Sequence, residues 1–242
     1  MTQAIISDYW NHRAEAYHHY HVFSDRAEAD LHVWSEIFGR FLPVATSRVL
    51  DVGTGDGYVA HILSDRGFDV VGVDASPGML MEARLDAEER VNSGRPAARF
   101  VEGDATQLAP ELSGFDAVTS RFLMWTLREP VTAVRGWAQR VVPGGVIIAA
   151  DANWFGGGVP EDTVVESSAG ADSFVKAYNP TVLHDLPLST VTSPDEYAEV
   201  FREAGLSEVH VTWLPEILAL DRKFGTAPGH ESIPHFVVTG RA

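Results

Sequence analysis

A short apolar run leads straight into three closely spaced glycines: Val49-Leu50-Asp51-Val52-Gly53-Thr54-Gly55-Asp56-Gly57. Glycine has no Cβ, so the chain can turn sharply at the end of a strand and a ligand can lie directly on the backbone. A helix that follows such a turn offers unpaired backbone N–H groups to whatever sits there. Dinucleotide-binding proteins use a related turn, but their third small residue would fall at Tyr58. Asp51, on the strand before the turn, can receive a ligand ammonium. Asp74 follows about twenty residues past the turn, where a carboxylate can hold a ribose diol. A tight strand–helix turn without a ligand is the plain alternative.

The rest of the chain alternates in the same manner. The 3- and 4-residue spacing of Ala27, Leu31, Trp34, Ile37, Phe38, Phe41 and Leu42 predicts a helix that Pro43 ends. Strands are expected at 49–52, 69–74, 98–101, 115–119 and 145–150, and Met79, Leu80, Ala83, Ala87 and Val91 mark the buried face of a helix beginning at Pro77. A helix over 194–204 and closing strands at 206–214 and 235–238 complete the pattern. Strand–helix alternation of this kind predicts an α/β fold: a doubly wound, mostly parallel sheet, seven-stranded by this count, with helices on both faces. The chain reads as a single domain, with a helical N-terminal cover over 1–46, a cofactor-binding core over 47–151, an insertion over 152–192, and a closing helix and strands over 193–242.

Composition removes several functions. With no Cys there is no disulfide, thiolate metal site, iron–sulfur cluster or cysteine nucleophile. A net charge of −16 repels phosphate backbones, so nucleic acid is not an expected partner. No apolar run reaches the ~20 residues of a membrane span, and the opening residues lack a secretory signal's basic head and apolar stretch. A cytoplasmic location is expected, as a monomer or a homodimer.

From residue 48 to 151 the sequence resembles the class I S-adenosylmethionine-dependent methyltransferases in four ordered segments. The glycine turn is similar to the family's first motif, and Val71-Gly72-Val73-Asp74-Ala75-Ser76-Pro77-Gly78-Met79-Leu80 to its ribose segment. Glu102-Gly103-Asp104-Ala105 resembles its adenine segment, and Val142-Pro143-Gly144-Gly145 its approach to the fifth strand. The resemblance implies S-adenosyl-L-methionine as cofactor. It implies that Asp74 takes the ribose hydroxyls, that Asp104 takes the adenine amino group, and that Gly53 and Gly55 face the methionine moiety. Thr54, Ala75, Met79, Ala105 and Arg121 complete the implied set. Tyr9-Trp10-Asn11-His12-Arg13-Ala14-Glu15-Ala16-Tyr17 is similar to the opening of many small bacterial methyltransferases, which implies that Arg13 and Tyr17 close over the methionine carboxylate.

Three departures narrow the reaction. Ser120-Arg121-Phe122-Leu123 stands where nucleic-acid N-methyltransferases carry Asn-Pro-Pro-Tyr, the first ligand of metal-dependent catechol-type enzymes is missing, and radical chemistry would need cysteine. Direct displacement at a sulfonium methyl remains. It asks for alignment and exclusion of water, with a general base only if the acceptor must lose a proton. Residues 1–34 hold five of the ten His, three of the six Tyr and two of the six Trp. His18, His21 and His32 are the candidate bases. A metal site, an acceptor pocket and simple helix packing all remain open for this cluster, though no metal is expected. Tyr20, Phe122, Trp125 and Trp154 are candidate acceptor contacts and point to a flat aromatic or nitrogen-containing small molecule, with a tryptophan-containing cyclic dipeptide as the leading example. The alternatives are a nicotinamide-dependent oxidoreductase, against which the absence of Tyr-x-x-x-Lys counts, and a protein that keeps this fold without methyl transfer.

Overall fold

The structure, a computed structural model, describes residues 2–156, 158, 166–167, 170–171, 174–226 and 232–242. Helices α1 (Thr2–Phe23) and α2 (Ala27–Phe41) come first. α2 buries Trp34, Ile37 and Phe38, and the chain turns extended at Leu42, because a following proline disfavours helical backbone. Leu31, expected on the buried face, is 44% exposed.

The alternating core runs β1 (Arg48–Val52), α3 (Tyr58–Asp65), β2 (Asp69–Asp74), α4 (Pro77–Asn92), β3 (Arg99–Glu102), β4 (Phe115–Arg121), α5 (Pro130–Ala138) and β5 (Val141–Ala152). Ser76 caps α4 by accepting the Met79 backbone N–H at 3.3 Å, and Pro77 supplies the first-turn backbone angle. Val91, expected on α4's inner face, is exposed; Arg90 is buried in its turn, its guanidinium held by Asp65 and by the Pro96 carbonyl at 2.9 Å. Beyond β5 come α6 (Phe174–Ala177), α7 (Pro180–His184), α8 (Asp195–Glu203), β6 (Ser207–Trp213), α9 (Pro215–Phe224) and β7 (His235–Arg241). α9 lies between the two closing strands, where no helix is expected from the sequence. Of the insertion expected over 152–192, residues 157, 159–165, 168–169 and 172–173 lie outside the described residues.

The sheet is seven-stranded, in the order β3-β2-β1-β4-β5-β7-β6. The first five strands are parallel, and β7 pairs antiparallel with both β5 and β6. The doubly wound expectation holds. One apolar core, including Leu50, Val118, Trp137 and Phe201, fills the face under α5 and α8. The other, including Phe38, Val49, Leu63 and Ile217, fills the face under α2, α3 and α9. Between β1 and β4 the strand order reverses, which opens a crevice at the carboxyl ends of the strands. Among the described residues no helix is long and apolar enough to cross a membrane.

Candidate active site

The glycine turn sits in that crevice. Gly53 and Gly55 have φ of 67° and 57°, in the left-handed region that favours glycine. A Cβ on Gly53 would meet Leu123 at 2.7 Å, whereas one on Gly55 would meet nothing within 4 Å. Gly53 is therefore fixed by packing, and Gly55 leaves an open cradle. The turn is tied to β2, since the Gly53 and Thr54 N–H groups both donate to the Val73 carbonyl, at 2.8 and 3.0 Å.

Two adjoining cavities open here, of about 780 Å³ with the mouth included and about 280 Å³. The larger is lined on the sheet side by Gly53, Gly55, Asp74, Ala75 and Met79. Asp104, Ala105 and Arg121 extend that wall, and Tyr17 closes it from α1. Asp51 and Thr54 line the smaller cavity, which Gly53, Gly55, Tyr17 and Arg121 share. Arg13 lines neither.

The carboxylates are placed for different tasks. Asp74, at the end of β2, accepts the Gly55 and Ser76 backbone N–H groups on separate oxygens, both at 2.8 Å, so its plane is fixed facing the cleft. Burial raises its carboxyl above the ordinary value. Asp51 is 1% exposed and takes the Thr54 and Thr119 hydroxyls at 2.7 and 2.8 Å; burial lifts it to about 6. Asp104 accepts the Thr106 N–H and hydroxyl on one oxygen, both at 2.7 Å.

The N-terminal histidines stand elsewhere. His18 and His21 direct Nδ1 at Asp56 Oδ2, at 3.3 and 2.8 Å, and neither lines the cavities. Burial acts to raise Asp56, but His21 and His18 outweigh it and hold the carboxyl well below the usual range. The hydrogen bond to Asp56 in turn raises His18. His32 is exposed on α2. No candidate base therefore reaches the cleft. Spacing shows which residues share a helix, but not which carboxylate from another element will claim an imidazole. Among the described residues no three potential ligands converge on a metal position.

Of the acceptor contacts, only Phe122 lines the cleft. It is non-glycine with φ of 59°, a strained conformation that aims its ring between Trp34 and Trp154, at 5.6 and 5.0 Å. Trp125 is buried against Tyr178 at 4.8 Å, and Trp154 donates its indole N–H to Asp151 at 2.6 Å. Tyr20 stands instead near Arg26, whose charge acts on its phenol. A stripe on α1 joins the site without being expected from the sequence: Gln3, Ile6, Ser7 and Trp10 face the cleft together with Tyr17. The heptad spacing of 3, 10 and 17 is its visible signal. Ser7 donates to the Ala75 carbonyl at 3.2 Å and Asn11 accepts the Gly78 N–H at 2.6 Å, so α1 is fastened to the start of α4.

The fold and cleft define a Rossmann-like α/β protein with a ligand site at its switch point. A family model described as a methyltransferase domain matches residues 50–149. The chain is 36% identical over 108 residues to a demethylmenaquinone methyltransferase of Renibacterium salmoninarum, covering 45% of this chain and 42% of that one. It is 30% identical over 172 residues to a ubiquinone biosynthesis O-methyltransferase of Acinetobacter baylyi, covering 71% and 68%. This chain belongs to the class I S-adenosylmethionine-dependent methyltransferases. In fold it is similar to phosphoethanolamine N-methyltransferase 2 of Haemonchus contortus, solved with S-adenosyl-L-methionine (TM-score 0.62, 18% identity, 100% of this chain and 57% of that one). The chain spans 42% and 63% of the length of the first curated relatives it matches.

The residues present fit S-adenosylmethionine. The Gly55 cradle leaves room beside the turn, Asp74 offers two aligned oxygens to a diol, and Met79 and Ala105 give apolar walls.

Proposed function

We propose that the protein transfers the methyl group of S-adenosylmethionine to a small-molecule acceptor by direct displacement. The observation that carries this is the convergence of Gly55, Asp74 and Asp104, from three successive strand ends, on one cleft that α1 walls off. The cofactor supplies a methyl group already activated by its positive sulfur. Asp74 holds the ribose hydroxyls, Asp104 the adenine amino group and Asp51 the ammonium. Arg121 and Tyr17 stand at the methionine end. α1 acts as a cover whose Ile6 and Trp10 exclude water from the reacting atoms. Alignment and desolvation do the work, without a histidine base.

A flat aromatic, nitrogen-containing acceptor is supported by Trp10, Tyr17 and Phe122 at the cleft, with tryptophan-containing cyclic dipeptides the first compounds to try. One relative is named for demethylmenaquinone and the other for ubiquinone biosynthesis, which keeps quinone-type rings in the same panel. The protein works in the cytoplasm, apart from nucleic acid. Mass spectrometry of such a panel, incubated with isotope-labelled donor, reads the acceptor directly. If no compound gains a methyl group while the donor binds, the alternative of this fold without methyl transfer is favoured.

The donor is tested separately. At a hundred times its dissociation constant, S-adenosylhomocysteine stabilises the fold by about 2.7 kcal/mol. For a chain of this size that raises Tm by roughly 5–10 °C. A shift with NAD and none with S-adenosylhomocysteine would overturn the proposal in favour of an oxidoreductase.

A further inference from the structure

Arg121 ends β4 and lines both cavities. Its guanidinium carbon lies 4.6 Å from the Phe122 ring, 4.7 Å from Tyr58 and 5.3 Å from Trp34. Three rings thus cage the cation and limit its freedom. Among the described residues its side-chain hydrogen bonds run to the Tyr17 hydroxyl at 3.5 Å and to His21 Nε2 at 3.2 Å, and none runs to a carboxylate. The cation is held in place without being neutralised by direct contact.

The contact with His21 determines the tautomer. A guanidinium has donors only, so Nε2 must accept, and the ring hydrogen sits on Nδ1. Nδ1 donates it to Asp56 Oδ2 at 2.8 Å. The imidazole is also clamped, stacked 4.3 Å from Tyr58 and edge-on to Tyr17 at 4.4 Å. Asp56, His21 and Arg121 therefore form a directed chain from the glycine turn, through α1, to the end of β4. His21 Nε2 is occupied by this bond and is not free to take a proton from an acceptor.

The smaller cavity is lined by two buried acids, Asp51 and Asp56, and by the caged Arg121; Asp56 is engaged by His18 and His21. An acid and a fixed guanidinium lining one cavity complement an α-amino-acid group, whose ammonium and carboxylate are joined at one carbon. We propose that Asp56 and His21 are positioning residues that aim the Arg121 guanidinium at the carboxylate of the donor's methionine end. This rests on the donor reading above, and it gives Arg121 the guanidinium's part in the role that the sequence resemblance assigned to Arg13 with Tyr17.

Calorimetry with two ligands tests it: S-adenosylhomocysteine, and 5′-methylthioadenosine, which keeps the nucleoside and lacks the amino-acid group. Wild-type protein is expected to bind S-adenosylhomocysteine more tightly. In His21→Ala and Asp56→Ala its Kd rises at least tenfold, while 5′-methylthioadenosine binds within twofold of wild type, which also reports an intact fold. His21→Gln, with an amide oxygen to accept from Arg121 and an N–H to donate to Asp56, recovers most of the affinity. The proposal is overturned if the variants leave S-adenosylhomocysteine unaffected, if they lose both ligands equally, or if the wild type does not distinguish the two. Binding of neither ligand by the wild type would instead remove the donor reading itself.

Discussion

Asp74→Ala should lower the affinity for S-adenosylhomocysteine about 100-fold or more. A hydrogen bond to a charged group contributes roughly 1.5–3 kcal/mol, and a ribose diol makes two of them with one carboxylate. Every 1.4 kcal/mol is a factor of about ten in Kd, so even the lower figure for both bonds gives that loss. The side chain is pre-aligned, because the Gly55 and Ser76 N–H groups fix its two oxygens at 2.8 Å before any ligand arrives. Alanine also releases those N–H groups and loosens the turn, which adds to the loss. Since 5′-methylthioadenosine keeps the ribose, Asp74→Ala weakens both ligands together, in contrast to the variants of the Asp56–His21 chain. Unchanged affinity in calorimetry would remove Asp74 from the ribose site.

The second large effect concerns pH. Asp151 is 1% exposed near the end of β5, and burial pushes its carboxyl to about 7 from an ordinary 3.8. It accepts the Trp154 indole N–H at 2.6 Å and the Ala152 and Trp125 backbone N–H groups at 3.0 and 3.4 Å, so it joins the segments that follow β4 and β5. The unfolded chain gives up this proton near pH 4, while the folded chain keeps it until about pH 7. The stability this group contributes is therefore complete below pH 4 and is lost as pH rises through 7. Holding a proton over a range of about three pH units corresponds to about 4 kcal/mol. Asp51, raised to about 6 by burial, acts in the same sense over a narrower window. His235 opposes both: burial lowers it to about 4, so its stability is present above 6.5 and is lost as pH falls.

The wild type alone mixes these contributions, so the difference between wild type and Asp151→Asn is the quantity to measure, because the other groups cancel in it. Urea unfolding at pH 4.5 and at pH 8 should show the variant gaining roughly 3–4 kcal/mol relative to wild type at the higher pH. A difference that does not change with pH would mean that Asp151 titrates as an ordinary carboxylate.

Much of the cleft's lining is legible in the sequence because its constraints are local. Gly53 and Gly55 both adopt positive φ, and Gly53 also has Leu123 against it, so the sequence there admits little else. Asp51, Asp74 and Asp104 follow from strand ends, because parallel strands joined by helices bring their carboxyl ends to one edge of the sheet. The unexpected α9 and the exposed Val91 have a common origin. Apolar spacing reports a preference for burial, while the neighbouring elements decide which residues are covered.

The acceptor side and the histidines show the same limit more sharply. His18, His21 and Tyr20 are crowded in sequence, yet two of them turn to Asp56 and the third to Arg26. His21 meets Arg121, a hundred residues away, and that contact makes its Nε2 a hydrogen-bond acceptor. Trp125 and Trp154 follow β4 and β5, a place that suggests ligand contacts, but packing against Tyr178 and a bond to buried Asp151 claim them. Backbone geometry and the doubly wound, mostly parallel sheet, which act over a few residues or follow from connectivity, were determined by the sequence itself. Which side chain answers which depends on distances between elements far apart in the chain, and only the tertiary structure decided those.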